Sequence, residues 1–167
     1  IPMDTDMVCL CNPNNPTGQL IDREVLEQVA DYCQKTDTCL LLDECFHDFL
    51  EEGSVHTLLP RVKENPKLFV LRAFTKMYGM AGLRLGYGIC SDTELIRRME
   101  QVTQPWNVSV PAQAAGIAAA REQEFVAVSR QMITEQKKLL LAGLEAAGAK
   151  VYGSAANYIF FRAAPGF

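Results

Sequence analysis

The sequence lacks the features that mark membrane-spanning and nucleic-acid-binding chains. No apolar run approaches the roughly 18 consecutive residues that a membrane-spanning helix needs. Basic residues are outnumbered, since 16 Lys and Arg stand against 20 Asp and Glu, and the net charge is −4. This balance disfavours the clustered positive charge of a nucleic-acid interface. The chain is 49% hydrophobic, which is enough for a core, and we expect neither a membrane nor a nucleic acid as its partner.

The cysteine and glycine spacings of metal, disulfide and dinucleotide sites are also missing. None of the six cysteines forms a C-x-x-C pair, and four lie in strand-like apolar runs, so we expect buried thiols in a reducing cytoplasm. Cys45 and His47 would give a metal only two ligands, and no metal is predicted. His47 and His56 have no nucleophile to act on and are expected to be exposed or hydrogen-bonded. The glycines of residues 79–88 do not form the dinucleotide pattern.

Apolar runs alternate with helical patterns along most of the chain. Helix-like segments of ten or more residues separate the early runs, which predicts a largely parallel sheet, although the short link after Lys76 leaves room for an antiparallel strand. Asp22 is placed to cap the first helix. The predicted strands are 7–11, 39–42, 68–71, 86–90, 150–152 and 157–161, and the later predicted helices are 111–120 and 123–147.

The pattern changes near residue 110, which predicts two parts. Residues 1–110 are interpreted as part of a large α/β domain, and residues 111–167 as a linking helix and the beginning of a small α+β domain. The chain opens at Ile1 just before a strand and stops at Phe167 just after one, so we expect a segment of a longer protein.

Polar residues follow three of the predicted strands. The stretch 12–15 follows the first strand, Asp43 ends the second, and Thr75 and Lys76 follow the third. The carboxyl ends of parallel strands meet at one rim of a sheet, where ligands bind. An amide, a carboxylate and a lysine suit pyridoxal 5'-phosphate (PLP), because the lysine forms a Schiff base and the acid pairs with the pyridinium nitrogen.

Four motifs, in order, make the resemblance specific. Residues 12–18 read Asn-Pro-Asn-Asn-Pro-Thr-Gly, Asp43 begins Asp-Glu-Cys-Phe, Thr75 precedes Lys76, and Arg84 lies in Gly-Leu-Arg-Leu-Gly. Each alone could be a turn, a cap or a surface residue. Together they resemble the class I/II aminotransferases, PLP-dependent enzymes of fold type I, whose large domain is a three-layer α/β/α structure with a mostly parallel sheet.

The resemblance implies a role for each motif residue. Lys76 and Asp43 would be catalytic, with Lys76 bound to the cofactor aldehyde and Asp43 to the ring nitrogen. The other implied cofactor contacts are Asn15 to the ring hydroxyl, Thr75 and Arg84 to the phosphate, and Phe46 beside the ring. Asn15 and Asn157 are the implied substrate contacts.

Within the family, the chain resembles most the threonine-phosphate decarboxylases of cobalamin biosynthesis and the histidinol-phosphate aminotransferases. Phe46, where most aminotransferases place Tyr, and the stretches 43–49, 105–109 and 156–158 favour the decarboxylase, with an amino-acid phosphate as substrate. Transamination of a similar substrate is the first alternative. A catalytically inactive fragment or assembly module is the second.

Two departures from the family pattern weaken the expected grip on the cofactor. Ala73 replaces a hydroxyl-bearing residue at the phosphate, and Phe46 removes a donor to the ring hydroxyl. The family's phosphate-binding helix N-terminus, stacking aromatic ring and substrate-binding C-terminal Arg have no counterparts in these 167 residues. If they act alone, we expect weak PLP binding and no activity. The resemblance implies that the longer protein is a cytoplasmic homodimer acting on a small amino acid or amine.

Overall fold

The computed structural model, which describes residues 1–163 and residue 166, is built around a four-stranded sheet. The strands are β1 (Met7–Cys11), β2 (Cys39–Asp43), β3 (Leu68–Ala73) and β4 (Gly86–Ile89), in that order across the sheet. The first three strands are parallel, and β4 is antiparallel to β3. The predicted mixed α/β architecture with a mostly parallel sheet is therefore confirmed, and the antiparallel exception is the strand after Lys76.

The helices begin where the sequence provides caps. Asp22 accepts hydrogen bonds from the backbone N–H groups of Glu24 and Val25, and Asp92 caps a later helix in the same way. Such caps satisfy backbone donors that the first helical turn leaves free. The helices are α1 (Arg23–Lys35), α2 (Gly53–His56), α3 (Thr93–Val102), α4 (Val110–Ala119) and α5 (Gln123–Ala146), and short 3-10 helices span His47–Phe49, Leu59–Lys63 and Ala81–Leu83.

The main core lies between α1 and one face of the sheet. Side chains alternate between the two faces of a strand, so Leu40 and Leu42 of β2 point to this face together with Leu68 and Val70 of β3. The fully or nearly fully buried members of this core are Leu26, Ala30, Cys33, Leu40, Leu42, Leu58, Val62, Leu68 and Val70. This packing fixes the strands whose carboxyl ends carry the predicted site.

The opposite face of the sheet is covered at one side only. Phe69 of β3 and Gly88 of β4 line a cavity together with Ile96 and Met99 of α3, so a second helical layer lies there. Over β1 the face is open, and Cys9 and Cys11 are exposed. The prediction of buried cysteines is wrong for these two thiols, because they point away from the face that α1 covers.

A second, two-stranded sheet follows the long helix α5. Its strands β5 (Lys150–Val151) and β6 (Phe161–Arg162) are antiparallel. The prediction of a strand over 157–161 is wrong for all but its last residue. The domain division near residue 110 stays a proposal, and α4 begins at that point. Ala164, Pro165 and Phe167, which end the predicted small domain, lie outside the described residues.

A search of the described residues for long apolar helices finds none capable of crossing a membrane.

Candidate active site

The predicted site residues come together at the carboxyl-terminal rim of the sheet. Cys11, Asp43 and Leu71 are neighbours in register across β1, β2 and β3, so the three strands end side by side. A cavity of about 430 Å³ opens at this rim. Its lining includes Asn15, Asp43, Phe46, Thr75, Lys76 and Arg84. Six side chains that the sequence motifs single out therefore face one space, although they come from four separate stretches of the chain.

Asp43, the last residue of β2, is half-buried and oriented by the following turn. Its Oδ1 accepts a 2.8 Å hydrogen bond from the backbone N–H of Cys45. The Cys11 thiol lies 4.0 Å from Oδ2. Burial and the nearby Asp43 carboxylate raise the pKa of Cys45 to about 12, so this thiol stays neutral at physiological pH. The carboxylate of Asp43 is therefore not accompanied by a second negative charge from Cys45.

Lys76 extends from the loop that follows β3 and is exposed at the cavity. Its Nζ lies 5.6 Å from the centroid of the Phe46 ring, a distance at which a cation is attracted to the ring face. Thr75, its neighbour, is buried. An amine that is held near an aromatic ring yet open to the cavity is accessible to a carbonyl compound.

Phe46 connects the rim to Tyr158, which lies between β5 and β6. Its ring packs edge-on against Tyr158, with the ring centroids 5.1 Å apart. The Tyr158 hydroxyl donates a 2.8 Å hydrogen bond to the backbone oxygen of Asn14, beside Asn15. Tyr158 thus supports both the ring beside Lys76 and the loop that carries the amide. No motif in the sequence marks Tyr158 for this role, since its partners lie far away along the chain.

Arg84 ends the 3-10 helix Ala81–Leu83 in a left-handed backbone conformation, with a φ of 55°. It is exposed, and its guanidinium donates a 3.1 Å hydrogen bond to the backbone oxygen of Ala81. Left-handed backbone is unusual for a residue other than glycine, and strained conformations of this kind cluster at functional sites. The turn directs a cationic fork, which suits phosphate oxygens, to the cavity.

The cavity also includes residues that the motifs did not indicate. Arg72 of β3 lines it and forms an ion pair with buried Glu44, the residue after Asp43. The strand pairing could have indicated this ion pair. Asp43 lies opposite Leu71, so the oppositely charged Glu44 and Arg72, which follow them, are brought side by side. Ala73, the predicted departure from the family pattern, lines the cavity as well.

Three residues considered in the sequence lie outside this group. Asn157 is exposed and is not among the residues that line the cavity. His47 is 6% exposed, and its Nδ1 has no hydrogen-bond partner in the described part of the chain. The same is true of Nδ1 of half-buried His56. His47 is buried rather than exposed, because the segment after β2 folds inward, and it has a backbone hydrogen bond with Gly53. Among residues 1–163, no cluster of ligands suited to a metal is found.

Comparison with known proteins places the chain in a family. The model of the family described as "Aminotransferase class I and II" matches residues 2–165. The chain belongs to this aminotransferase family. Its predicted membership is confirmed, and with it the fold type.

Relatives within the aminotransferase family carry two different names. Threonine-phosphate decarboxylase from Salmonella typhimurium is 36% identical over 160 residues, covering 95% of this chain and 43% of the relative. Histidinol-phosphate aminotransferase from Brevibacillus brevis is 37% identical over 155 residues, covering 93% and 42%. Among solved structures, the histidinol-phosphate aminotransferase from Clostridium acetobutylicum superposes with a TM-score of 0.91 at 29% identity, covering 97% and 49%. The chain spans less than half the length of these family members.

Proposed function

We propose that this chain is the cofactor-binding part of a PLP-dependent enzyme acting on an amino-acid phosphate, of the threonine-phosphate decarboxylase type, in cobalamin biosynthesis. The observation that carries the proposal is the single cavity lined by Lys76, Asp43 and Asn15 together with Phe46 and Arg84. Its volume of about 430 Å³ is within the usual range of small-molecule sites. The cavity contains an amine for an aldehyde, an acid for a pyridinium and a guanidinium for a phosphate, so its chemistry fits PLP, the cofactor of this family.

Each side chain has a distinct task in this proposal. When bound, PLP supplies an electron sink for the bond that breaks at the substrate's Cα. Lys76 would hold the aldehyde carbon, and its amine, once free, would move a proton to or from the substrate. Asp43 would keep the ring nitrogen protonated by its negative charge. Asn15 would donate to the ring hydroxyl, and Arg84 with Thr75 would hold the phosphate.

Covalent trapping of the cofactor by this chain tests the proposal directly. Incubation with excess PLP followed by borohydride should leave one phosphopyridoxyl group on Lys76, because reduction makes the carbon–nitrogen bond permanent even when binding is weak. Mass spectrometry of the digested chain locates the group. Lys76→Ala should lack the visible absorbance band before reduction and the label after it, whereas Lys63→Ala, at an exposed lysine away from the cavity, should show the band before reduction and the label after it.

The result that overturns the proposal is labelling spread over several lysines, equal in the unmodified chain and in Lys76→Ala. That result would favour the alternative of a non-catalytic assembly module. The presence of both Lys76 and Asp43 in one cavity supports the catalytic interpretation over this alternative.

Transamination of the histidinol-phosphate type is the second candidate, and the nearly equal identities of the two named relatives support it. The two reactions are separated with the whole protein and O-phosphothreonine. A decarboxylase releases carbon dioxide and places a proton on Cα in its stead. An aminotransferase instead passes the amino group to 2-oxoglutarate and forms glutamate, and this outcome would contradict the decarboxylase proposal.

The finer parts of the proposal rest on the family resemblance. They are a cytoplasmic homodimer as the assembly and Asn157 as a substrate contact. Light scattering of the whole protein tests the homodimer. Steady-state kinetics of an Asn157→Ala variant tests the substrate contact. We expect a mass of two chains, and a KM for the phosphorylated substrate that rises in the variant while PLP binding stays unchanged.

A further inference from the structure

Glu44 is a buried carboxylate placed directly behind the site. It follows Asp43 in the chain and is 1% exposed. Its Oε1 accepts a 3.1 Å hydrogen bond from the backbone N–H of Leu58, and its Oε2 accepts one of 2.8 Å from the Thr57 hydroxyl. The guanidinium of Arg72 approaches Oε2 to 2.6 Å. Every one of these donors comes from a segment distant in sequence from β2.

Arg72 is held as firmly as its partner. Its side chain is 11% exposed, and besides Glu44 it contacts the carboxylate of Asp48 at 3.3 Å and the hydroxyl of Thr57 at 3.1 Å. Removal of one member of a buried ion pair leaves the other charge without compensation, which is strongly unfavourable. The geometry of Glu44 and Arg72 is therefore tightly constrained, and so are the strand ends that carry them.

The pair joins the two strands that deliver the proposed catalytic groups. Glu44 adjoins Asp43 at the end of β2, and its backbone N–H donates to the Leu71 oxygen of β3 at 2.9 Å. Arg72 lies four residues before Lys76 and lines the same cavity. From this arrangement we infer that Glu44 and Arg72 are positioning residues that set the placement of Asp43 relative to Lys76. The inference rests on the proposed function, because it concerns where the cofactor's two ends are held.

The test compares two carboxylates that each bridge separate elements. Glu44→Gln keeps the shape but removes the charge that orients Arg72. Glu27→Gln is the matched control, because Glu27 bridges Arg23 and Arg61 on the side of α1, away from the cavity. The readouts are the dissociation constant for PLP and the visible circular dichroism of the bound ring, which reports its orientation.

We expect Glu44→Gln to weaken PLP binding about tenfold or more, as loss of outer supporting contacts does at other sites, and to change the visible circular dichroism. Glu27→Gln should lower the melting temperature but leave affinity and circular dichroism within about twofold of the unmodified chain. Equal effects of the two substitutions on all readouts would show a purely structural role and overturn the inference.

A milder pair of variants covers the case in which Glu44→Gln does not fold. Thr57→Val removes the hydroxyl that donates to Glu44 and accepts from Arg72, whereas Thr57→Ser retains it. Thr57→Val should weaken PLP binding by several-fold relative to Thr57→Ser. Equal affinity of these two variants would contradict a positioning role.

A measurement without PLP separates this inference from the proposed function. In the cofactor-free chain, Thr57→Val should shift the backbone amide NMR signals of Asp43 and Lys76, whereas Thr57→Ser should leave them in place. If the unmodified chain is not labelled at Lys76, the proposed function fails. The amide signals still decide whether Glu44 and Arg72 set the placement of Asp43 relative to Lys76. Unshifted signals in Thr57→Val would overturn the positioning role by themselves.

Discussion

At the scale of single residues, Asp43 and Glu44 show how position separates two identical charges. The two side chains leave the chain at the end of β2 on opposite sides, as neighbours along a strand do. Asp43 is half-buried and lines the cavity, where it remains available to a ligand. Glu44 is buried, and its two oxygens already accept hydrogen bonds from three other residues. The Asp43 carboxylate is therefore free to interact with a ligand, whereas the Glu44 carboxylate holds neighbouring segments in place.

His47 gives the chain a pH-dependent stability. Burial lowers its pKa from 6.5 to about 3, and the positive charge of Arg72 adds to the effect. Although Glu44 lies 4.0 Å from its Nδ1, that carboxylate is already paired with Arg72. The unfolded chain binds a proton at this histidine below pH 6.5 and the folded chain does not, so acid favours unfolding. We expect its contribution to the unfolding free energy to fall by about 2 kcal/mol from pH 8 to pH 5.

Urea unfolding at several pH values measures this effect. Other groups titrate in the same range, so the relevant quantity is the difference in slope between the unmodified chain and His47→Gln. The variant should show the smaller loss of stability on acidification. The same slope in both proteins would contradict the assignment.

The candidate site was predictable from sequence where function depends on local motifs. Asn15, Asp43 and Lys76 lie in short patterns at strand ends, and the structure brings all three to one cavity. Tyr158 and Arg72 were not predicted as members, because their places depend on contacts across 144 and 28 residues of chain, respectively. A motif describes neighbours along the chain, whereas these two act through neighbours in space.

At the scale of elements, the antiparallel strand β4 is fitted closely against β3. A Cβ atom added at Gly88 would lie 2.3 Å from two carbons of the Phe69 ring, which is far inside van der Waals contact. Phe69 is buried and its ring is rigid, so it can relieve the clash only by rotating toward the cavity beside α3. We expect Gly88→Ala to lower the unfolding free energy by about 1–3 kcal/mol, as overpacking does elsewhere, measured by urea denaturation.

Gly143 in α5 provides the opposite case. Nothing lies within 4 Å of an added Cβ there, and the residue is exposed in the last turn of the helix. Gly143→Ala should therefore raise the unfolding free energy by about 0.5–1 kcal/mol.

A second substitution tests the contact at Gly88. In the Gly88→Ala chain, Phe69→Leu should recover part of the lost stability, because the smaller side chain makes room for the added methyl group. If Gly88→Ala is neutral, the close contact between β4 and the Phe69 ring is refuted.

Elements were predictable where local pattern and tertiary environment agree. Asp22 caps α1 as predicted, and the long helix α5, predicted over 123–147, spans Gln123–Ala146. The expected strand over 157–161 failed because Tyr158 packs against Phe46 and bonds to Asn14. Only Phe161 of that run pairs in a sheet, opposite Val151. A competing tertiary contact, invisible in the apolar pattern, decided the backbone there.

At the scale of the whole molecule, the sheet has one packed face and one that is partly open, and its thiols report the difference. Cys9 and Cys11 are exposed and Cys33 is buried. Partial burial, and then the charge of Asp43, raises the pKa of Cys11, and burial raises that of Cys33. In a thiol-reagent time course near neutral pH, we expect Cys9 to react first, Cys11 next, and Cys33 only after unfolding, because the thiolate is the reactive form.

Peptide mapping after short reaction times identifies which thiol is modified. A Cys9→Ser variant should lose the fastest phase, and urea should release the slowest one. Rapid reaction of Cys33 in the native chain would contradict the packing of α1 against the sheet.

The hydrogen bond from Tyr158 to the loop of Asn14 has a consequence for how the chain is made. Its two partners are separated by 144 residues, so during synthesis the loop of Asn14 cannot form this bond until Tyr158 has been made. At ribosomal speeds of about 5–20 residues per second, that wait lasts roughly 7–30 s. A nascent chain can therefore assemble β1, β2 and β3 early, while the candidate site acquires this contact only after Tyr158 has left the exit tunnel.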